Sequence, residues 1–302
     1  MSTLLLYLST FLLSLLPLVY TLLPPLHPHL PSSTLSKVTT SGTLSRPPTD
    51  RGAALKLSIV VPAYNEESRL KAGLTGLITS LKTLKPNEYE IIVCNDGSKD
   101  GTSEECLKLG SLHPNINLLL LELSQNAGKG GALKSGFPHA QGQYILMADA
   151  DGATDWSEID KFLKIMDDKG GKGVIVGSRA HMANEVKRSF FRTVLMRGFH
   201  LVVNLFGRTT VKDTQCGFKL FEREIGQRIF RNIRLLRWSF DVEVLSLCTM
   251  LKIDVEEVAV KWEEVDGSKL GEEGLGIVAV RMLRDVVFMR IAYALGIWGI
   301  EE

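Results

Sequence analysis

The chain has 302 residues, 35 Lys plus Arg against 34 Asp plus Glu, a formal charge of +1, and 45% hydrophobic residues. That length allows one large or two modest domains, and the balanced charge argues against a general nucleic-acid binder and against an acidic disordered chain. Four widely spaced cysteines (Cys94, Cys106, Cys216, Cys248) show no CxxC spacing, which supports neither a zinc ribbon nor a disulfide scaffold and suits a reducing compartment.

Residues 1–36 contain no Asp, Glu, Lys or Arg, and Leu4 to Leu23 is a 20-residue, mostly leucine stretch. This is long enough to cross a bilayer as a helix, and Pro17 within it is tolerable in that setting. There is no basic n-region and no A-x-A-like site follows, so the expectation is an uncleaved N-terminal transmembrane helix over residues 1–23 rather than a removed leader. Lys37, Arg46, Arg51 and Lys56 follow it against Asp50 alone, which puts the bulk of the chain in the cytosol. Residues 24–56, mostly Pro, Ser and Thr without strand or helix periodicity, read as a linker.

From Leu57 short apolar runs alternate with helical stretches. Strands are expected at Leu57–Pro62, Tyr89–Cys94, Asn117–Glu122, Tyr144–Ala148 and Gly173–Gly177, with helices near 66–84, 100–112, 128–140 and 156–168. Such alternation implies an α/β fold with a mostly parallel sheet flanked by helices, in which ligands collect beyond the carboxyl ends of the strands. Farther on, Met182–Phe206 is a long apolar-rich helix carrying Lys187, Arg188, Arg192 and Arg197. Phe218–Glu222 reads as a strand, 223–233 and Ser239–Leu251 as helices, Val255–Trp262 as a strand, and Leu275–Trp298 as a final helix. The two long helices fit either a membrane interface or packing on the sheet.

Polar clusters follow four of the strands. Pro62, Tyr64, Asn65, Glu66 and Glu67 follow the first; the ring can stack on a nucleobase and the polar groups can bond its edge and ribose, while a turn leading into an acidic helix start explains the same residues. Asn95-Asp96-Gly97-Ser98 follows the second and is equally readable as turn and cap chemistry. Asn126-Ala127-Gly128-Lys129-Gly130-Gly131 follows the third. It is neither a P-loop nor a dinucleotide fingerprint, and its backbone N–H groups and Lys129 can face an anion or merely start a helix. The fourth strand runs into Asp149-Ala150-Asp151. Two carboxylates at the end of an apolar strand are costly unless they bind something positive, and residues i and i+2 of an extended backbone share a side. Asp149 and Asp151 can therefore converge on one hard cation, Mg2+ or Mn2+, that also holds a diphosphate.

Together these clusters describe a nucleotide-diphosphate site, and Val-Pro-Ala-Tyr-Asn-Glu-Glu, Asn-Asp-Gly-Ser, Asn-x-Gly-Lys-Gly and Asp-Ala-Asp, in this order and spacing, resemble the family-2 glycosyltransferases of the GT-A (Rossmann-like) fold. The resemblance covers roughly residues 57–270, leaving 271–302 as a C-terminal membrane-associated or packing helix. Met147–Asp155, Gly177–His181, Asp213–Phe221, Arg237–Glu243 and Gly267–Leu270 resemble most the branch of the family that glucosylates dolichyl phosphate. The resemblance implies UDP-glucose as donor, dolichyl phosphate as acceptor, and residence among the lipids of the endoplasmic reticulum membrane. It implies donor contacts at Pro62, Tyr64, Asn65, Glu67, Asp96, Lys129, Asp149 and Lys269, and acceptor-phosphate contacts at Arg179 and Arg192. Asp151, Asp213 and Asp241 are the carried-over acids of the reaction; the last two can orient sugar hydroxyls or serve as ion-pair partners. The chain departs from the family pattern at Asn95, where an Asp is usual, and at Ala153, where related mannosyl enzymes have a Gln. It lacks an Arg in Trp262–Asp266, which leaves Lys269 as the main cation there. Two alternatives stay open: another polyprenyl-phosphate hexosyltransferase, mannosyl included, and a non-catalytic nucleotide-sugar-binding protein.

Overall fold

The computed structural model describes residues 28–39, 41–45, 55–81, 83–180, 207, 209–263, 265 and 275–301. The expected span over 1–23, the helix expected over 182–206, and with them Arg192 and Lys269, lie outside these residues. In chain order the elements are β1 (Ser33–Val38), β2 (Leu44–Ser45), β3 (Leu57–Ala63), α1 (Glu67–Ser80), β4 (Tyr89–Asn95), α2 (Thr102–Leu112), β5 (Leu118–Leu123), α3 (Lys129–Gly136), β6 (Tyr144–Met147), α4 (Glu158–Asp168), β7 (Val174–Ser178), β8 (Lys219–Glu222), α5 (Arg223–Asn232), α6 (Phe240–Met250), β9 (Val255–Ala259) and α7 (Leu275–Ala294).

The strands form one sheet in the order β2-β1-β5-β4-β3-β6-β8-β7-β9. β3, β4, β5 and β6 are near-continuous apolar runs, the mark of strands covered on both faces. Alternate residues divide between two cores. Ile59 and Val61 meet Leu70, Leu74 and Leu77 of α1 and Phe162 and Met166 of α4. Val60 and Ile92 meet Leu133 of α3, Phe230 of α5 and Val244 of α6. The spacing of Leu70, Leu74 and Leu77 puts one stripe of α1 on the sheet, and each fully buried leucine of this kind stabilises the fold by roughly 2 kcal/mol.

The sheet is mixed, not mostly parallel. β8 runs antiparallel to both β6 and β7, and β1 runs antiparallel to β5. The apolar pattern of a strand carries no direction, so a chain that returns between β6 and β7 reads in sequence like one more parallel strand. The expected linker also needs correction, because Ser33–Val38 of it is β1, paired with β5 from Ser33↔Leu123 to Lys37↔Leu119. Only the two-residue β2 lies outside β1, and β1 is held by main-chain pairing with few apolar contacts, here Leu35 on one core and Val38 on the other, so Ser- and Thr-rich sequence hides it.

The final helix packs rather than standing free. Val278, Met282, Val286 and Met289 of α7 are buried, and Val286 and Met289 join Val242 of α6 and Trp298 in a third cluster. Its outer side shows Ile277, Val280 and Ile291 to solvent. Among the described residues no helix is long and apolar enough to cross a membrane.

Candidate active site

The carboxyl ends of β3, β4, β5, β6 and β7 share one edge of the sheet, and the site residues of the sequence gather there. Beyond β3, Asn65 takes a left-handed conformation with φ of 52°. Its side-chain Oδ1 accepts the Lys99 N–H at 2.9 Å and its own N–H donates to Ser98 Oγ at 2.9 Å, which ties the loop after β3 to the loop after β4. Glu67 accepts the Gly101 N–H at 3.0 Å. Tyr64 lines an open cavity of about 690 Å³ with Asn95, Ser98, Ser103, Glu122 and Asn126, large enough for a nucleoside. Pro62 lies within β3, paired with Cys94.

Asp96 is buried and fully engaged. It accepts the Ala127 N–H at 2.7 Å, the Gly128 N–H at 2.8 Å and Asn126 Nδ2 at 2.9 Å. Burial pushes its carboxyl up to about 6, against the pull of those two backbone groups and Arg237. The Ala127 and Gly128 N–H groups at the start of the glycine-rich turn therefore face Asp96. The Gly131 N–H is taken by Leu236 O at 2.9 Å, and a Cβ on Gly128 would stand 2.7 Å from the same carbonyl. What the turn delivers to the cleft is Lys129.

Beyond β6, Asp149 meets Lys129 at 2.6 Å. Burial works to raise the Asp149 carboxyl, but Lys129, Lys219 and Arg179 outweigh it and hold it below the usual carboxylate range. Lys129 stays charged because Asp149 and Asp241 overcome its own desolvation. Asp151 accepts the Ala153 N–H at 3.1 Å and lies 3.8 Å from Arg69, which is itself clamped by Glu66 at 2.6 and 2.8 Å. Two glycines set the height of this acid loop. A Cβ on Gly73 would stand 1.9 Å from Ala150 O, and one on Gly217 would stand 2.1 Å from Asp149 Oδ2. Asp149 and Asp151 offer hard oxygens suited to Mg2+ or Mn2+. No group of three or more His, Cys, Asp or Glu that fits a metal stands together among the described residues, so such an ion would complete its shell from bound phosphate or water.

The remaining groups come from β7, β8 and α6. Arg179 stacks 5.3 Å from the Trp262 ring and is gripped by Asp213 through Nε at 2.8 Å and Nη2 at 2.9 Å. Burial would raise the Asp213 carboxyl, and Arg179 more than offsets that. Asp241 does not reach the open cleft. It is buried against Lys219 at 2.6 Å, and burial raises its carboxyl in spite of Lys219 and Lys129. Sequence reasoning passed over Lys219, Arg69, Gly73 and Gly217. The signal for Lys219 was its place between Phe218 and Leu220 in a strand, where a charge needs a partner.

A helix-flanked mixed sheet with an acid pair at the tip of a central strand, and with Lys129 and Arg179 around it, defines a glycosyltransferase of the GT-A type. The chain belongs to glycosyl transferase family 2, whose pattern matches residues 58–230. It is 44% identical over 255 residues to a dolichyl-phosphate beta-glucosyltransferase of Dictyostelium discoideum, covering 82% of this chain and 77% of that one. It is 40% identical over 257 residues to the human protein of the same name, covering 82% and 78%. Among solved structures, the mannosyltransferase of Pyrobaculum calidifontis in complex with GDP-Man and Mn2+ superposes with a TM-score of 0.52 at 20% identity, over 82% of this chain and 74% of that one. Glucosyl-3-phosphoglycerate synthase of Mycobacterium tuberculosis with Mn2+, UDP-glucose and glycerol 3-phosphate gives 0.52 at 16%, over 83% of each. At these identities the likeness to solved structures is one of fold.

Proposed function

We propose that the protein transfers glucose from UDP-glucose to dolichyl phosphate, giving dolichyl β-D-glucosyl phosphate, at the cytosolic face of the endoplasmic reticulum membrane to which residues 1–23 anchor it. The observation that carries the reaction class is the pair Asp149 and Asp151 beyond β6, with Lys129 at 2.6 Å from the first. The names of the relatives support the particular sugar and acceptor.

The acceptor is a phosphate monoester whose second ionisation falls near pH ~6, so in a neutral cytosol it is an anionic nucleophile already. The site needs no strong base; it needs positioning and neutralised charge. Asp213 holds one edge of the Arg179 guanidinium and leaves its Nη1 side to an incoming phosphate, with Arg192 assigned the same task by family position. Tyr64 and the loop braced by Asn65 and Glu67 shape the base and ribose pocket. Asp96 fixes the turn that aims Lys129 at the diphosphate, and Lys269 is a further cation for it by family position. A divalent ion, Mg2+ or Mn2+, held by Asp149 and Asp151, would neutralise charge on the departing UDP. Attack of the phosphate oxygen on the anomeric carbon from the face opposite UDP inverts that centre and yields the β linkage.

The test is incubation of the full chain with dolichyl phosphate and either radiolabelled UDP-glucose or GDP-mannose, with Mg2+ or Mn2+. Label from UDP-glucose in the organic phase is expected. Label from GDP-mannose instead replaces the donor, and no lipid-linked label from any nucleotide sugar removes the transferase reading. Protease treatment of sealed microsomes that degrades residues 57–302 while the membrane stays intact is the expected result for the location.

A further inference from the structure

Lys219 opens β8 and is wholly buried. Its ammonium donates to Asp241 Oδ1 at 2.6 Å, to Cys216 O at 2.6 Å and to Thr214 O at 3.2 Å, which uses all three of its protons. Asp241 answers its charge. The two carbonyls need no charge; they belong to the loop 213–217, which Lys219 thereby clamps at two points. The far end of that loop is tied as well, since the Asp213 N–H donates to Glu257 Oε1 at 2.9 Å.

The clamped loop is the floor under Asp149. β6 and β8 pair antiparallel with Met147 opposite Lys219, and the same register carried two residues on sets Asp149 against Gly217. The contact is close: a Cβ there would stand 2.1 Å from Oδ2 and 3.1 Å from Oδ1 of Asp149. Asp149 thus has Lys129 on Oδ1 at 2.6 Å and the Gly217 main chain beneath Oδ2.

We infer that Lys219 is a positioning residue for donor binding, acting through the Thr214–Gly217 loop to fix the orientation of the Asp149 carboxylate. This rests on Asp149 serving the donor, as proposed above. The role differs from plain neutralisation of Asp241, and the two can be separated. The variant Lys219→Met with Asp241→Asn removes both charges at similar volume, which buried pairs often tolerate, and leaves the loop carbonyls without their donor. Lys219→Gln with Asp241→Asn removes the same charges, including their direct pull on Asp149 and Lys129, but keeps an N–H donor, so the difference between the two variants reads the loop contact alone.

The experiment is calorimetric titration of UDP with Mn2+ into the full chain, with thermal unfolding and KM for each substrate measured alongside. In the paired variant we expect a Tm within about 4 °C of wild type, UDP–Mn2+ binding weakened roughly tenfold, a parallel rise in donor KM, and dolichyl-phosphate KM changed less than about twofold. Gly217→Ala, which presses on Asp149 directly, should weaken binding by a similar factor, and adding it to the paired variant should cost less than about threefold more, because both act on one contact. A folded paired variant with wild-type UDP–Mn2+ binding overturns the inference, as do effects that multiply in full. Should the paired variant not fold, Lys219→Gln with Asp241→Asn decides: it removes the same charges but keeps an N–H donor toward the loop carbonyls, so UDP–Mn2+ binding within about threefold of wild type upholds the role and a roughly tenfold loss overturns it. Asp149→Asn serves as the control. Unweakened UDP–Mn2+ binding there refutes the donor role of Asp149 itself, and with it the reading of the site rather than the part played by Lys219.

Discussion

Two neighbouring lysine–aspartate pairs of the site have the same length and opposite use. Lys129 and Asp149 meet at 2.6 Å with 17% and 40% of their side chains exposed, while Lys219 and Asp241 meet at 2.6 Å with 0% and 5% exposed. A half-open pair can trade partners with a ligand, because water and phosphate reach both members. A closed pair cannot, since separating it strands a charge in a medium that solvates it poorly. Exposure, not ion-pair distance, separates an acid that a ligand can reach from one that holds the surrounding structure in place.

The largest effect expected on the open side is from Asp151→Asn. It should lower turnover about 10³-fold and leave the Tm nearly unchanged, measured by lipid-linked glucose formation and thermal unfolding; unchanged turnover would erase the distinction between exposed and buried acids. On the closed side Lys219→Met alone strands Asp241 and should cost about 3–5 kcal/mol in urea unfolding, and a loss below about 1 kcal/mol would show that water reaches this pair after all. Asp96→Asn sits between the two cases. It turns one acceptor into a donor facing the Asn126–Gly128 turn and should cost about 1–3 kcal/mol, read as weaker UDP binding through a displaced Lys129.

The smallest effect is a pH slope. Glu243 is buried, accepts the Arg234 and Leu235 N–H groups at 2.8 and 2.7 Å and the Tyr293 hydroxyl at 2.9 Å, and burial pushes it up to about 7 from an ordinary 4.5. The folded state therefore holds this proton more tightly than the unfolded chain. Its stabilisation is complete below pH ~4.5 and is lost as pH rises through ~7. Glu243→Gln should flatten the Tm profile between pH 5 and 8 by about 2–5 °C relative to wild type; an unaltered profile would assign the slope to other groups.

Much of this was readable from sequence, and the failures have physical causes. Asp149 and Asp151 declared themselves because an apolar run ending in two acids is costly without a counter-charge. The loops carrying Tyr64, Asn65 and Asp96 were found because each follows a strand on one edge. Pairings between distant residues were not readable: nothing in the composition around Arg179 says that Asp213, 34 positions on, will grip it. The direction of β8 was hidden for the reason that β1 was, since main-chain pairing leaves little trace in side-chain pattern. The glycines of 128–131 suggested a phosphate nest, while the N–H groups of Gly128 and Gly131 serve Asp96 and Leu236. A glycine marks a close approach without naming what approaches.

The course of β1 has a mechanical consequence. Ser33 lies beside Leu123, and the Ser124 N–H reaches Ser32 O at 2.9 Å, so the chain joins the sheet at the rim of the cleft and not at its rear. Any force on the leading residues is applied at that rim, as a leash clipped to a collar turns the head.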